Sequence, residues 1–359
     1  MTSRRTFLGL GATAVGTAIV GAPTARAAES QTLYIGAYAP GGLGVATYDP
    51  ASGMITSTGV LAGVAEPSLL IGTDRFLYAV NEQPDGGVTA IAVDAPGKLR
   101  ILNRQPTGGS APCHLALVAK GNYLLSANYG SGDVAVHPVN ADGSLGERTD
   151  LVQHEGAAPH AHQVVEDPAG EYVLAVDLGT DSVYTYELST AGKLALQATA
   201  TMNEGAGPRH LAFHPSGVYA YVANELDSTI TICGYDAGRL TPGTSLPTTP
   251  PGAPQNYPGE VLVSPDGRFV YLTNRGHNSI AVFAVEAGGA ELRLVDTPSC
   301  GGDWPRHCGL DKSGALLFVA NQRSNTITTF HRNQQTGTLT PAAEFSTPVP
   351  ACTLSRSGR

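Results

Sequence analysis

A run of apolar residues closed by Asn or Asp recurs along this chain and constrains its fold more than any other feature. Leu77-Tyr78-Ala79-Val80-Asn81, Leu124-Leu125-Ser126-Ala127-Asn128, Val173-Leu174-Ala175-Val176-Asp177, Ala220-Tyr221-Val222-Ala223-Asn224, Val270-Tyr271-Leu272-Thr273-Asn274 and Leu317-Phe318-Val319-Ala320-Asn321 follow one another at spacings of 47, 49, 47, 50 and 47 residues. In five of the six, a glycine stands seven residues before the Asn or Asp, at Gly121, Gly170, Gly217, Gly267 and Gly314. A fixed glycine offset marks a tight turn feeding a strand, because glycine tolerates the positive φ that such turns need. A repeat near 50 residues is the length of one supersecondary unit that must stack on copies of itself.

Each unit has the same internal order. A first strand such as His210-Leu211-Ala212-Phe213 passes through Pro215-Ser216-Gly217 into the apolar second strand. An alternating third strand follows, at Val134 to Val139, Val183 to Leu188, Thr229 to Cys233, Ile280 to Val285 and Ile327 to Phe330. A turn then leads to a leucine, at Leu99, Leu145, Leu194, Leu240, Leu292 or Leu339, that opens a fourth. Four antiparallel strands without a helical period between them predict an all-β fold of propeller blades. Residues 28–359 have room for about seven such units. The ends supply the seventh: Thr353 to Gly358 matches a first strand and its turn, while Leu33 to Gly36 and Val45 to Tyr48 match the second and third. The expectation is therefore one domain over 28–359, a seven-bladed β-propeller of four-stranded antiparallel blades. Its C-terminal strand joins the N-terminal blade, which removes exposed sheet edges.

Composition excludes several partners. Charged residues are 14% of the chain against 42% hydrophobic, the formal net charge is -9, and the only lysines are Lys98, Lys120, Lys193 and Lys312. With no basic cluster, a nucleic-acid partner held by phosphate neutralisation is not expected. No apolar run is long enough to span a membrane, so no span is expected in the mature form. The N-terminus reads as an address. Arg4-Arg5 precede the apolar stretch Phe7 to Val20, and Ala25-Arg26-Ala27 offers small residues for cleavage. Residues 1–27 are expected to be a twin-arginine-type signal peptide, with the twin-arginine export machinery as the precursor's partner and a periplasmic or extracellular destination. The five cysteines, Cys113, Cys233, Cys300, Cys308 and Cys352, have neither a disulfide-framework nor a zinc-ligand spacing. A short Cys300–Cys308 loop and buried free thiols are both open readings.

The strand order also places side chains. First and second strands are antiparallel, so first-strand starts and second-strand ends share one face of the disc. There the repeat breaks its apolar pattern with His160, His162, Arg209, His210, Arg306 and His307 from first strands, and Glu82, Asp177, Glu225, Arg275 and Arg323 from second strands. Such a mouth suits an anionic or carbonyl-bearing small molecule. Arg209 and Glu225 are sixteen residues apart, one strand, turn and strand, so both reach the same end. A salt bridge tying strand ends would use the same residues. His160 and His162 have metal-ligand character but no third ligand at suitable spacing, so neither a metal nor a cofactor is expected. His214 is assigned to the opposite face. The repeated Asn and Asp read as blade-locking groups. No nucleophile elbow, phosphate loop or dinucleotide fingerprint occurs.

The segment Gly205-Ala206-Gly207-Pro208-Arg209-His210-Leu211-Ala212-Phe213-His214-Pro215, followed by Tyr219 to Leu226, resembles the seven-bladed propeller lactonase family. That family includes the propeller-type bacterial 6-phosphogluconolactonase and the fungal carboxy-muconate lactonising enzyme. Pro159-His160-Ala161-His162 and Val176 to Asp181 are similar to further family segments. The resemblance implies a lactone hydrolase acting on a sugar lactone or related anionic lactone, or else a muconate-type lactonising cycloisomerase. Carried over by motif, the family's histidine falls on the His160/His162 segment, its first arginine and glutamate on Arg209 and Glu225, and its second arginine on Arg275. Arg209 and Arg275 would then stabilise the oxyanion while Glu225 or His162 acts as general base. His160, His210, Asp177 and Arg306 complete the expected substrate contacts. A non-enzymatic exported binding propeller is the competing class, since fold alone proves no activity.

Overall fold

The computed structural model describes residues 30–356 together with Met1 and Thr2. The arginine pair and apolar stretch of the expected signal lie outside the described residues. Seven four-stranded antiparallel sheets make up the fold of the described residues. The first six blades have inner strands Leu70–Gly72, Pro112–Val118, Ala161–Glu166, Pro208–Phe213, Tyr257–Val263 and Pro305–Leu310. The closing blade pairs Pro350–Arg356 with Gln31–Ala37, Leu43–Tyr48 and Ile55–Leu61. Its register, with Leu354 opposite Tyr34 and Cys352 opposite Gly36, joins the two ends of the chain as the repeat required. Successive inner strands touch in cyclic order, and Pro350–Arg356 touches those of both the first and sixth blades.

The repeated apolar strands are second strands, buried on both faces because each blade is sandwiched between two others. At the third position before the repeated Asn, three of them carry tyrosines. Tyr78, Tyr221 and Tyr271 are buried, and their hydroxyls donate to the carbonyls of Gly143, Gly289 and Gly337, each in the next blade, at 3.0, 3.0 and 2.8 Å. Each buried bond stabilises the blade packing by about 0.5–1.5 kcal/mol. In the sixth blade Phe318 stands at this position and meets Tyr48 of the closing blade edge-on. The repeated Asn locks its own blade: Asn224 donates to Thr229 and Thr231, and Asn321 to Thr328 of the third strand. The turn glycines behave as their offset predicts, with φ of 71° at Gly170, 76° at Gly217 and 69° at Gly314.

One element differs from its expected place. Leu145 makes only an isolated bridge to Val139, and the outer strand of the second blade is Asp150–Gln153. The reason is competition from the first blade. Asn103 accepts from the Leu145 N–H at 2.9 Å and donates to its carbonyl at 2.7 Å, occupying the groups a strand would have used. All five cysteines are buried free thiols, so no Cys300–Cys308 bridge forms. No helix among the described residues is long and apolar enough to cross a membrane.

Candidate active site

In six of the seven inner strands, pairing with the second strand slips near the strand's start. The unpaired residues are Cys113, His162, Arg209, Gly259 with Glu260, Arg306 and Ala351. A bulge bends the strand and re-aims its side chains. Successive rather than alternate side chains therefore face the axis: Arg209 and His210 both border a narrow central cleft, as do Arg306 and His307. Ser68, Leu69, Cys113, Glu260 and Ala351 complete its wall, so six blades contribute.

An ionic lattice forms one part of the site. Glu225 Oε2 lies 3.3 Å from Arg209 Nε and 2.5 Å from Arg275 Nη2. Arg209 Nη1 also donates to the Gly259 carbonyl at 2.7 Å, and Arg275 donates to the carbonyls of Tyr257 and Pro258 at 3.0 Å each. Arg209 and Glu225 are thus not an isolated pair. Burial opposes ionisation of Glu225, yet the Arg275 and Arg209 guanidiniums outweigh it and hold the carboxyl below its usual range. Burial and the like charge of Arg209 bring Arg275 down to about 9. Glu82 accepts from Tyr38 at 2.6 Å and from Ser68, while Arg306 stands 3.6 Å from Glu82 and over the Tyr38 ring. With Glu260 counted, three arginines stand against three glutamates, so the formal charges of the site balance.

A cluster of imidazoles forms the other part. The His210 ring meets those of His114 and His162 edge-on, at centroid distances of 5.1 and 5.0 Å. His210 Nδ1 lies 3.0 Å from Glu260 Oε1, and His307 Nε2 lies 3.7 Å from Glu260 Oε2. Burial, with the neighbouring positive charges, holds His114 and His162 well below the usual imidazole range and lowers His307. Burial likewise brings His210 down to about 4, against the pull of Glu260. Burial opposes charge on Glu260, but the hydrogen bond from His210 Nδ1 and the Arg209 guanidinium work against it and hold the carboxyl below its usual range. At neutral pH the cluster is four neutral bases around one carboxylate.

Arg209, Glu225, Arg275, His162, His210 and Arg306 are therefore brought together. His160 stands apart: its ring stacks on Tyr129, and Nδ1 donates to the Tyr129 carbonyl at 2.8 Å. Asp177, expected to contact substrate, is sealed. Its Oδ2 accepts from His154 at 2.6 Å, and its Oδ1 accepts the backbone N–H groups of His160, Gly179 and Thr180, which leaves no edge for a ligand. It takes the locking position that Asn holds in other blades. His214 bonds to Ser216 and the Gly267 carbonyl in the turn region. Glu260 and His114 went unread in the sequence. Both sit in the same register as Arg209-His210, in Gly259-Glu260 and Cys113-His114, so the repeat itself was the signal that could have found them.

Comparison with known proteins follows the same lines. The family model described as a seven-bladed beta-propeller lactonase matches residues 32–355. A Bacillus subtilis protein named 6-phosphogluconolactonase is 36% identical over 339 residues, covering 89% of this chain and 96% of its own. The solved structure of a Pseudomonas aeruginosa periplasmic gluconolactonase superposes with a TM-score of 0.88 at 30% identity, covering 92% of this chain and 100% of that one. A Lactobacillus plantarum protein structure gives 0.87 at 33% identity, with the same coverage.

Proposed function

The chain belongs to the seven-bladed β-propeller lactonase family, and we propose that it opens a sugar lactone seated over the mouth of the central cleft, whose narrow interior of about 10 Å³ has room for the attacking water. The observation that carries this reading is the juxtaposition of guanidinium donors and neutral imidazoles on one buried wall. Lactone hydrolysis needs both: donors for the oxyanion formed at the carbonyl, and a base for the attacking water. Arg209 and Arg306 border the cleft and supply the donors. Arg275 fixes Glu225, which in turn orients Arg209. Glu225 is engaged by both arginines and lies outside the cleft wall, so it anchors the lattice; the proton acceptor belongs to the imidazole cluster.

The substrate is an unphosphorylated lactone. Arg209 and Arg275 share the Glu225 carboxylate, Arg306 stands beside Glu82, Glu260 lies in the same wall, and none of the four lysines does, so a phosphate dianion finds little uncompensated charge. Kinetics on glucono-lactone with and without a 6-phosphate test this, with spontaneous hydrolysis subtracted. A higher kcat/KM on the unphosphorylated lactone is expected, and the reverse order contradicts it.

Export fits this substrate, since unphosphorylated lactones occur outside the cytosol, and the Pseudomonas relative is itself described as periplasmic. The domain then runs from residue 28, after a cleaved signal. Replacing Arg4 and Arg5 together by Lys is expected to retain the protein in the cytoplasm on fractionation. Unchanged export would contradict a twin-arginine route.

A further inference from the structure

Of the imidazoles around the cleft, His210 alone has a carboxylate within hydrogen-bond distance of a ring nitrogen. Because that carboxylate only accepts, His210 Nδ1 carries the hydrogen and Nε2 is left as the free base. Nε2 is buried and has no hydrogen-bond partner within the protein. His162 lacks such a lock, since its buried Nδ1 has no hydrogen-bond partner. His210 and Glu260 also both border the cleft beside Arg209 and Arg306. We infer that His210 is the base that deprotonates the attacking water and that Glu260 is its positioning residue, an assignment resting on the lactonase reading above.

The step balances. Nε2 takes a proton from water as the water oxygen bonds to the lactone carbonyl carbon, and the carbonyl electron pair moves to oxygen beside Arg209. Collapse of this intermediate breaks the bond to the ring oxygen. The proton on Nε2 passes to that oxygen, giving the open hydroxy acid. The groups facing His210 are His114, His162, His307, Arg209 and Glu260, and only Glu260 favours its protonated form. Burial keeps the ring neutral at neutral pH, so the Nε2 lone pair is free, and the Glu260 charge favours the imidazolium as it forms.

The test uses His210→Asn, whose side-chain amide can keep the bond to Glu260 while Nε2 is removed. With folding checked by melting temperature, kcat is expected to fall about 10²–10⁴-fold with little change in KM. Glu260→Gln keeps an acceptor but removes the charge that favours imidazolium. The acid limb of its kcat/KM profile is expected to move to lower pH, a change that loss of packing alone would not produce. Nitrogen-15 shifts of the His210 ring are expected to show hydrogen on Nδ1. Wild-type kcat in His210→Asn, loss of turnover in His162→Asn alone, or hydrogen on Nε2 would each overturn the assignment while leaving the lactonase reading intact. A wild-type protein that hydrolyses no lactone would overturn both.

Discussion

His154 and His210 each pair through Nδ1 with a buried carboxylate, Asp177 at 2.6 Å and Glu260 at 3.0 Å. Each also has an Nε2 that is buried without a hydrogen-bond partner. A hydrogen-bond inventory therefore does not separate them. His154 follows the outer strand of the second blade and stacks on Tyr184, and Asp177 is saturated by backbone amides. His210 follows a bulge in an inner strand, on the wall of a cleft that also holds two guanidiniums. The same chemical pair is a blade lock in one place and a base in the other. What differs is access to a cleft and the charges around it.

The largest effect that could break this comparison concerns the ring itself, because the cleft draws on six blades. Ending the chain at Thr347 removes the strand Pro350–Arg356, and with it the inner wall of the closing blade. No cooperatively folding product is expected in a thermal melt. A normal melt would show that the blades stand without closure, and the cleft would then need another origin. Next in size is Arg209→Ala, expected to lower kcat/KM about 10²–10³-fold through loss of an oxyanion donor.

The opposite outcome is expected at the blade lock. Asp177→Asn leaves kcat near wild type but costs about 1–3 kcal/mol of stability, since its carboxylate satisfies several buried donors. Parallel chemical denaturation and activity assays would show this split. A large loss of kcat with unchanged stability would move Asp177 into the site. A smaller, shared effect is acid sensitivity. The buried imidazoles His114, His162, His210 and His307 have depressed pKa values in the folded state. Below about pH 6.5 the unfolded chain therefore binds more protons than the folded one, so stability falls as pH falls, by up to about 1.4 kcal/mol per pH unit for each imidazole. The carboxylates of Asp177 and Glu260, also depressed, add a further loss only below about pH 4. Melting at pH 5 and pH 7 checks the sign, and equal stability at both would show that the imidazoles charge freely in the fold.

The ring was legible because it rests on a repeat, and a repeat is read from spacing alone. Even its closure was visible, since the tail completes a unit that the head begins. Leu145 was misread because its backbone partners are the side chains of Asn103 and Gln105 in another blade, a contact that periodicity within one unit does not carry. In the site, the charged residues at strand ends were legible as exceptions to an apolar pattern. Glu260 stands at the same spacing before its repeated Asn as His210 does, so it was legible by register, but Tyr257-Pro258-Gly259-Glu260 lacks the Pro-Arg-His pattern that drew the eye to the other blades. Asp177 was overread for the reverse reason. Its departure from Asn looked like function, but it serves His154, which lies in a segment the repeat pattern did not interpret.

The most direct test of the central claim is hydrolysis of glucono-lactone by the purified domain in oxygen-18 water, with product mass measured for the wild type and Arg209→Ala. The account predicts a rate well above spontaneous opening, one labelled oxygen in the product carboxylate, and collapse of the enzymatic rate in the variant. A wild-type rate equal to the spontaneous one, a product isomerised without gain of water, or full activity in Arg209→Ala would contradict it.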